Sequence, residues 1–177
     1  MLVVGCTGPD SEKNSVSTEN SSIRSESSEV KNEETVSSTK IYEIGDTCSD
    51  NLTRITINGK RYTDSINEIN DESYTVKAEN GYHYLILDIT LENIDDNRSR
   101  NYAEYAHYKI LSPDGYTYEF DSDASNVLAK PLDSSDVFPG NKRRGEVPFQ
   151  VPINATDLKL QFMWDPINNH DGVIFNL

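Results

Sequence analysis

Cysteine, tryptophan and long apolar runs are nearly missing from this chain of 177 residues, which holds two cysteines and one tryptophan. Two cysteines cannot build the multi-bridge framework that staples small secreted folds. A single Cys6–Cys48 disulfide is open on paper, but the residues around Cys6 explain it better. No stretch nears the ~20 apolar residues of a membrane-spanning helix. Positive charge is also short: 16 Lys and Arg stand against 30 Asp and Glu, a formal net charge of −14. Nucleic acid is therefore excluded as a main partner, because affinity for it comes chiefly from Lys and Arg neutralising phosphates. Anionic lipid headgroups repel the same surface. Membrane attachment must then come from a covalent lipid or from a hydrophobic segment outside this sequence.

Chemical motifs are missing too. His83, His107 and His170 stand far apart. There is no H-x₃-H, no C-x₂-C and no nucleophile elbow. The expectation is a protein that is not an enzyme; an envelope hydrolase would need a pocket that no local motif announces.

What remains is unevenly spread. Hydrophobic residues make up 35% of the chain, below the usual ~45–50%. Residues 1–40 are mostly Ser, Glu, Asn, Thr and Lys, and every aromatic lies in 41–177. Ile23, Val16, Val30 and Val36 are isolated among polar residues. Such a segment cannot offset a conformational entropy of roughly 1–2 kcal/mol per residue, so it reads as a disordered tail. As a coil of about 34 residues it spans roughly 30–35 Å on average. Residues 41–177 carry 23 acidic and 12 basic side chains, so the expected folded part is itself acidic.

The chain opens Met1-Leu2-Val3-Val4-Gly5-Cys6. Val3-Val4-Gly5-Cys6 resembles a prokaryotic lipobox, in which aliphatic and small residues precede the cysteine that receives lipid. Polarity then rises abruptly at Thr7-Gly8-Pro9-Asp10. Only five residues precede Cys6, fewer than the charged and apolar regions of a signal peptide occupy, so this reading requires a longer precursor. The expectation is lipid attachment at Cys6, with residues 1–40 as a stalk on the outside of the membrane. A cytosolic thiol in a ragged terminus is the alternative.

From Ile41 the pattern is β. Ile41–Asp46 begins a strand, and Thr53, Ile55 and Ile57 alternate with polar residues. Asn58-Gly59 is a two-residue hairpin signal, since both centres of a type I′ turn need φ > 0. Residues 64–80 read as a long loop with a short strand near Tyr74-Thr75-Val76. The clearest strand is Tyr82–Ile94, with Leu85, Leu87, Ile89 and Leu91 on one face. Ser112-Pro113-Asp114-Gly115 and Phe138-Pro139-Gly140 are turns, because Pro presets φ and Gly takes the left-handed position. Gly145–Val151 is a strand that Pro148 places at an edge or bulge. Leu158, Leu160, Phe162 and Trp164 alternate, and Val173–Leu177 is a last strand. Seven or eight strands without a useful amphipathic helix define an all-β, antiparallel, immunoglobulin-like β-sandwich over 41–177.

These motifs carry a resemblance. Ile44-Gly45-Asp46-Thr47, Tyr84 to Asn93, Asp114-Gly115-Tyr116-Thr117-Tyr118, Phe138-Pro139-Gly140 and Gly145 to Pro152 resemble an uncharacterised family of prokaryotic envelope lipoprotein domains. That family is similar in fold to the immunoprotective extracellular antigens, which are immunoglobulin-like sandwiches. The resemblance covers about residues 41–165. It implies a fold and an address outside the cytoplasm, and no known catalytic residues.

Three surface features compete for a binding role. Asp121, Asp123, Asp133 and Asp136 form an oxygen-rich loop suited to a hard cation such as Ca²⁺. An EF-hand starting at Asp121 fails, because Asn126 stands where Gly is needed and Leu132 where Glu is needed. A solvated acidic loop is the bland alternative, with no cofactor at all. Tyr102, Tyr105 and Tyr108, with Tyr116 and Tyr118 nearby, suit an aromatic platform for sugar rings or a protein partner, or ordinary packing. Lys142-Arg143-Arg144 comes after a turn and suits phosphate or an anionic wall polymer, or simply solvent. Sequons at Asn20, Asn51, Asn97 and Asn154 mark surface positions. The leading expectation is a non-enzymatic surface lipoprotein that presents the sandwich to an envelope protein or glycan, or serves envelope structure. The alternative is a cation- or small-ligand-binding accessory protein using the loop 121–136.

Overall fold

The computed structural model describes residues 40–67, 74–102, 107–165 and 172–177, all within the unit Ser37–Leu177. The expected tail, with Cys6, lies outside the described residues. The strands are β1 (Ile41–Tyr42), β2 (Thr47–Ser49), β3 (Thr53–Thr63), β4 (Ser65–Ile66), β5 (Val76–Lys77), β6 (Tyr82–Asn93), β7 (Tyr108–Leu111), β8 (Thr117–Glu119), β9 (Lys142–Pro152), β10 (Lys159–Met163) and β11 (Gly172–Asn176), with a one-turn helix α1 at Ser122–Ser125. One sheet runs β2-β3-β6-β9 and the other β1-β11-β10-β7-β8, with β4 and β5 paired apart. This is the expected sandwich. Its one parallel pair among the named strands is β1 with β11.

Alternation in β6 builds the centre. Leu85, Leu87, Ile89 and Leu91 are fully buried against Ile110, Leu160, Phe162 and Phe175 of the facing sheet. Each such side chain contributes roughly 1.5–3 kcal/mol. Trp164 packs at the margin of this core, its ring 5.1 Å from that of Phe162.

The opposite face of β6 is not simply solvated. Tyr84 and Ile86 are buried in a second cluster with Ile66, Ala124, Val127 and Leu128. Burial in this cluster, with Asp121 and Asp123 nearby, pushes the Tyr84 phenol up to about 12.

Asn58-Gly59 makes no hairpin. β3 runs through it as one strand, pairing with β6 from Thr53↔Asn93 to Thr63↔Tyr84, with a register shift between Ile57 and Gly59. A β-bulge absorbs the extra residue. The Asn58 amide donates to Asp88 (3.1 Å) and Thr90 (2.9 Å), which holds the bulge outward. Non-local pairing on both sides of β3 outweighs the local turn preference. The turns at Gly115 (φ 89°) and Gly140 (φ 74°) form as expected.

Pro148 sits on β9, an edge strand, as its missing N–H requires. The free edge of β9 is covered. The Pro148 carbonyl accepts the Asp121 N–H (3.0 Å), Glu146 N–H donates to Lys130 (2.8 Å), and Leu132 N–H donates to Glu146 (3.0 Å). Gly145 allows this approach, since a Cβ there would stand 2.6 Å from the Leu132 nitrogen.

Candidate functional site

The basic triplet is split by strand alternation. Lys142 and Arg144 emerge on the outer face of β9, where Lys142 meets Glu92 (3.3 Å) and Arg144 meets Asp88 (2.5 Å). Arg54 reaches the same Glu92 from β3 (2.6 Å), and Arg61 meets Glu146 (3.0 Å). Arg143 points the other way, to Asp133 (2.9 Å) and to the Ser135 hydroxyl. Each cation of the triplet is matched by a carboxylate, so the triplet is no open anion pocket. Hydrogen bonding from Arg144 holds the Asp88 carboxyl below its usual range, helped by Asn58 and opposed by burial. Burial pushes Glu92 up, but hydrogen bonds from Arg54 and Lys142 together outweigh it and leave the group lowered.

The acidic loop is also engaged locally. Asp121 caps α1, accepting the Ala124 N–H at 2.9 Å. Asp133 accepts the Ser135 N–H (2.7 Å) and hydroxyl (3.0 Å), which with Arg143 lower its carboxyl. Asp123 falls in the first turn of α1, and the Asp136 carbonyl accepts from Arg143 (3.5 Å). Among the described residues no three His, Cys, Asp or Glu side chains converge as a metal-binding group.

The tyrosine platform needs correction. Tyr102 and Tyr108 are 4% and 1% exposed and belong to the core. The Tyr108 hydroxyl donates to the Tyr102 carbonyl (2.7 Å), and the Tyr102 hydroxyl lies 3.1 Å from that of Thr53. The Tyr108 ring faces inward because β7 lies against the other sheet, and Tyr102, in the segment before β7, is held beside it by these hydrogen bonds. Tyr105 lies outside the described residues. His107 is buried too, its Nδ1 donating to the Met163 carbonyl (2.7 Å) while its ring stacks on Phe162 at 5.6 Å. His83 packs beside Tyr62, with ring centres 4.5 Å apart; His170 lies outside the described residues.

Clefts open on the surface of the described residues. One of about 530 Å³ lies beside Ser135, Phe138, Lys142 and Arg143. Another, of about 390 Å³, lies between Phe120, Ser125 and Asp133. The third, of about 350 Å³, is lined by Pro113, Asp114, Tyr118, Pro152, Asn154 and Thr156. The third joins two turns some forty positions apart in the chain, and no motif announced it. Of its lining, only Tyr118 stood out in the sequence as a binding candidate.

With this geometry in place, comparison defines the class. Residues 42–171 match the family described as a domain of unknown function (DUF4352), and the chain belongs to that family. The resemblance read from the turn and strand motifs is thereby met. No curated protein matches the chain. Among solved structures, the yjhA protein of Bacillus subtilis is similar at 17% identity and TM-score 0.56, over 77% of this chain and 99% of that one. The ycdA protein of Bacillus subtilis, provisionally assigned as a lipoprotein, is 15% identical with TM-score 0.53, over 74% of this chain but 38% of that one. The secreted protein MPT63 of Mycobacterium tuberculosis is 12% identical with TM-score 0.50, over 80% of this chain and 99% of that one. At these identities the likeness is one of fold.

Proposed function

We propose that this protein is an extracytoplasmic lipoprotein that displays a non-enzymatic β-sandwich for binding an envelope protein or glycan, or for envelope structure. Lipid on Cys6 holds it to the membrane, and residues 7–40 act as the stalk. The order of segments carries the reading: Val3-Val4-Gly5-Cys6, then a Ser- and Glu-rich stretch too polar to fold, then a sandwich. The secreted and provisionally lipid-linked proteins that share the fold support the address. So does a surface whose Lys142–Arg144 cations are matched by Glu92, Asp133 and Asp88 rather than left for anionic lipid. The test is mass spectrometry of the N-terminal peptide from native membranes, expressed with the genomic upstream region intact. Lipid-modified Cys6 as the first residue is the expected result. An unmodified peptide beginning at Met1, from the soluble fraction, removes the anchoring reading.

A further inference from the structure

Most polar groups singled out on this surface are already satisfied within the protein. The cations of the triplet are paired, and Asp121 and Asp133 bond to their own neighbours. The cleft between the turns at 112–116 and 152–156 differs. The Asn154 amide and the Tyr118 hydroxyl have no hydrogen-bond partner among the described residues. Asp114 spends Oδ1 on the Ser112 hydroxyl, which leaves Oδ2 open. Thr156 donates to Asp157 (3.2 Å) and keeps its lone pairs as acceptors. Against these groups stand the half-buried Tyr118 ring, Pro113 and Pro152. Tyr116, 65% exposed, lies two residues before Tyr118.

We propose that this cleft binds one or two rings of an uncharged glycan. A pyranose ring has a C–H face that packs on an aromatic ring and a rim of hydroxyls that both donate and accept. The cleft offers both: the apolar wall is Tyr118 with the two prolines, and the rim is Asp114, Asn154 and Thr156. Its volume of about 350 Å³ lies at the small end of ligand pockets, so a short segment of a chain fits rather than a broad surface. The net charge selects against sulfated, phosphorylated or uronic polymers, because residues 41–177 carry 23 acidic and 12 basic side chains and Asp114 faces the ligand. The backbone is preset. Gly115 holds the first turn, where Ser112 N–H donates to the Tyr116 carbonyl (2.9 Å). The second turn is closed by Ala155 N–H donating to Pro152 (3.0 Å). Little ordering entropy is then lost on binding.

The assignment rests on reading the sandwich as a displayed binding module, but the two fail separately. Lipid is read from the N-terminal peptide, and sugar binding from the full chain in solution. The experiment titrates the isotope-labelled full chain with cellotetraose and with N-acetylchitotetraose, following amide shifts. Perturbations centred on residues 112–118 and 152–156 are expected, with a Kd of about 1 mM or tighter. Asn154→Ala weakens binding about tenfold or more at an unchanged melting temperature. Tyr118 also packs on the core, so Tyr118→Ala is accompanied by Tyr118→Phe, which keeps the ring and its packing and, losing only the hydroxyl, weakens binding less than Tyr118→Ala does. No shift at about 10 mM of either sugar, or shifts elsewhere, overturns the proposal. So does an unresponsive cleft that instead answers to a proline-rich peptide.

Discussion

Asn93 offers the sharpest test of how the upper end of the sandwich is held. It is fully buried at the end of β6. Its amide nitrogen donates to the carbonyls of Arg98 (2.7 Å) and Val137 (2.8 Å), and its Oδ1 accepts the Asp95 N–H (3.0 Å). One side chain thus ties the turn after β6 to the segment leading into β9. Asn93→Ala removes three hydrogen bonds, each worth about 0.5–1.5 kcal/mol net, and leaves buried backbone groups short of partners. The sum is about 3 kcal/mol, which lowers Tm by on the order of 10 °C in a domain of this size. Asn93→Asp keeps the shape but turns the donor into an oxygen facing two carbonyls. At pH 7 that oxygen shares a buried charge, so the penalty rises to about 4–5 kcal/mol. Burial beside carbonyls raises the folded pKa of this Asp above its unfolded value of about 3.9. A group whose folded pKa is raised has its stability fully present below the unfolded pKa and loses it as pH rises through the folded one. Relative to wild type, Asn93→Asp should therefore recover as pH falls from 7 towards about 4. Urea titrations of the three proteins across that range measure the difference directly. An Asp variant equal to wild type at pH 7, or a gap that ignores pH, would refute the reasoning.

Other outcomes rest on single contacts. Gly145→Ala drives a methyl into the Leu132 backbone, and calorimetry should show a loss of about 2–3 kcal/mol from overpacking. Gly59→Ala meets nothing within 4 Å and does not sit at positive φ; its Tm should stay within about 2 °C of wild type, whereas a large drop would restore the hairpin. Asp88 has a lowered pKa, held by Arg144. Its contribution is present above the ordinary carboxylate range and is lost as pH falls through the lowered value, below 3.8. Asp88→Asn should accordingly flatten the acid limb of the Tm profile. Among the described residues no three His, Cys, Asp or Glu side chains converge, so calorimetry should find no heat with Ca²⁺ and melting curves no change with chelator. A shift of several degrees would revive the cation reading.

Much of the fold was legible because period-two alternation is a local property. Leu85 to Leu91 and Leu158 to Phe162 announced their strands, and Pro113 and Gly115 their turn. Other features depended on what lies across from a residue. Tyr102 and Tyr108 looked like a platform because an aromatic stripe reads the same whether it faces water or a second sheet. Asn58-Gly59 looked like a hairpin because turn preference is written locally, while the pairings with β2 and β6 that override it come from far along the chain.

The sequence by itself determined the acidic charge, the change of composition at about residue 40, the lipobox-like start and the β class of residues 41–177. All are sums or short-range patterns, which any one stretch of chain carries within itself. Only the tertiary structure decided which charges are spent and which remain open. It matched Lys142, Arg143 and Arg144 to three different carboxylates, buried Tyr84 and Ile86 beneath the turn after α1, and brought Tyr118 alongside Asn154. Those outcomes depend on which strands lie side by side and which loops share an end of the sandwich, and the register of distant strands sets both.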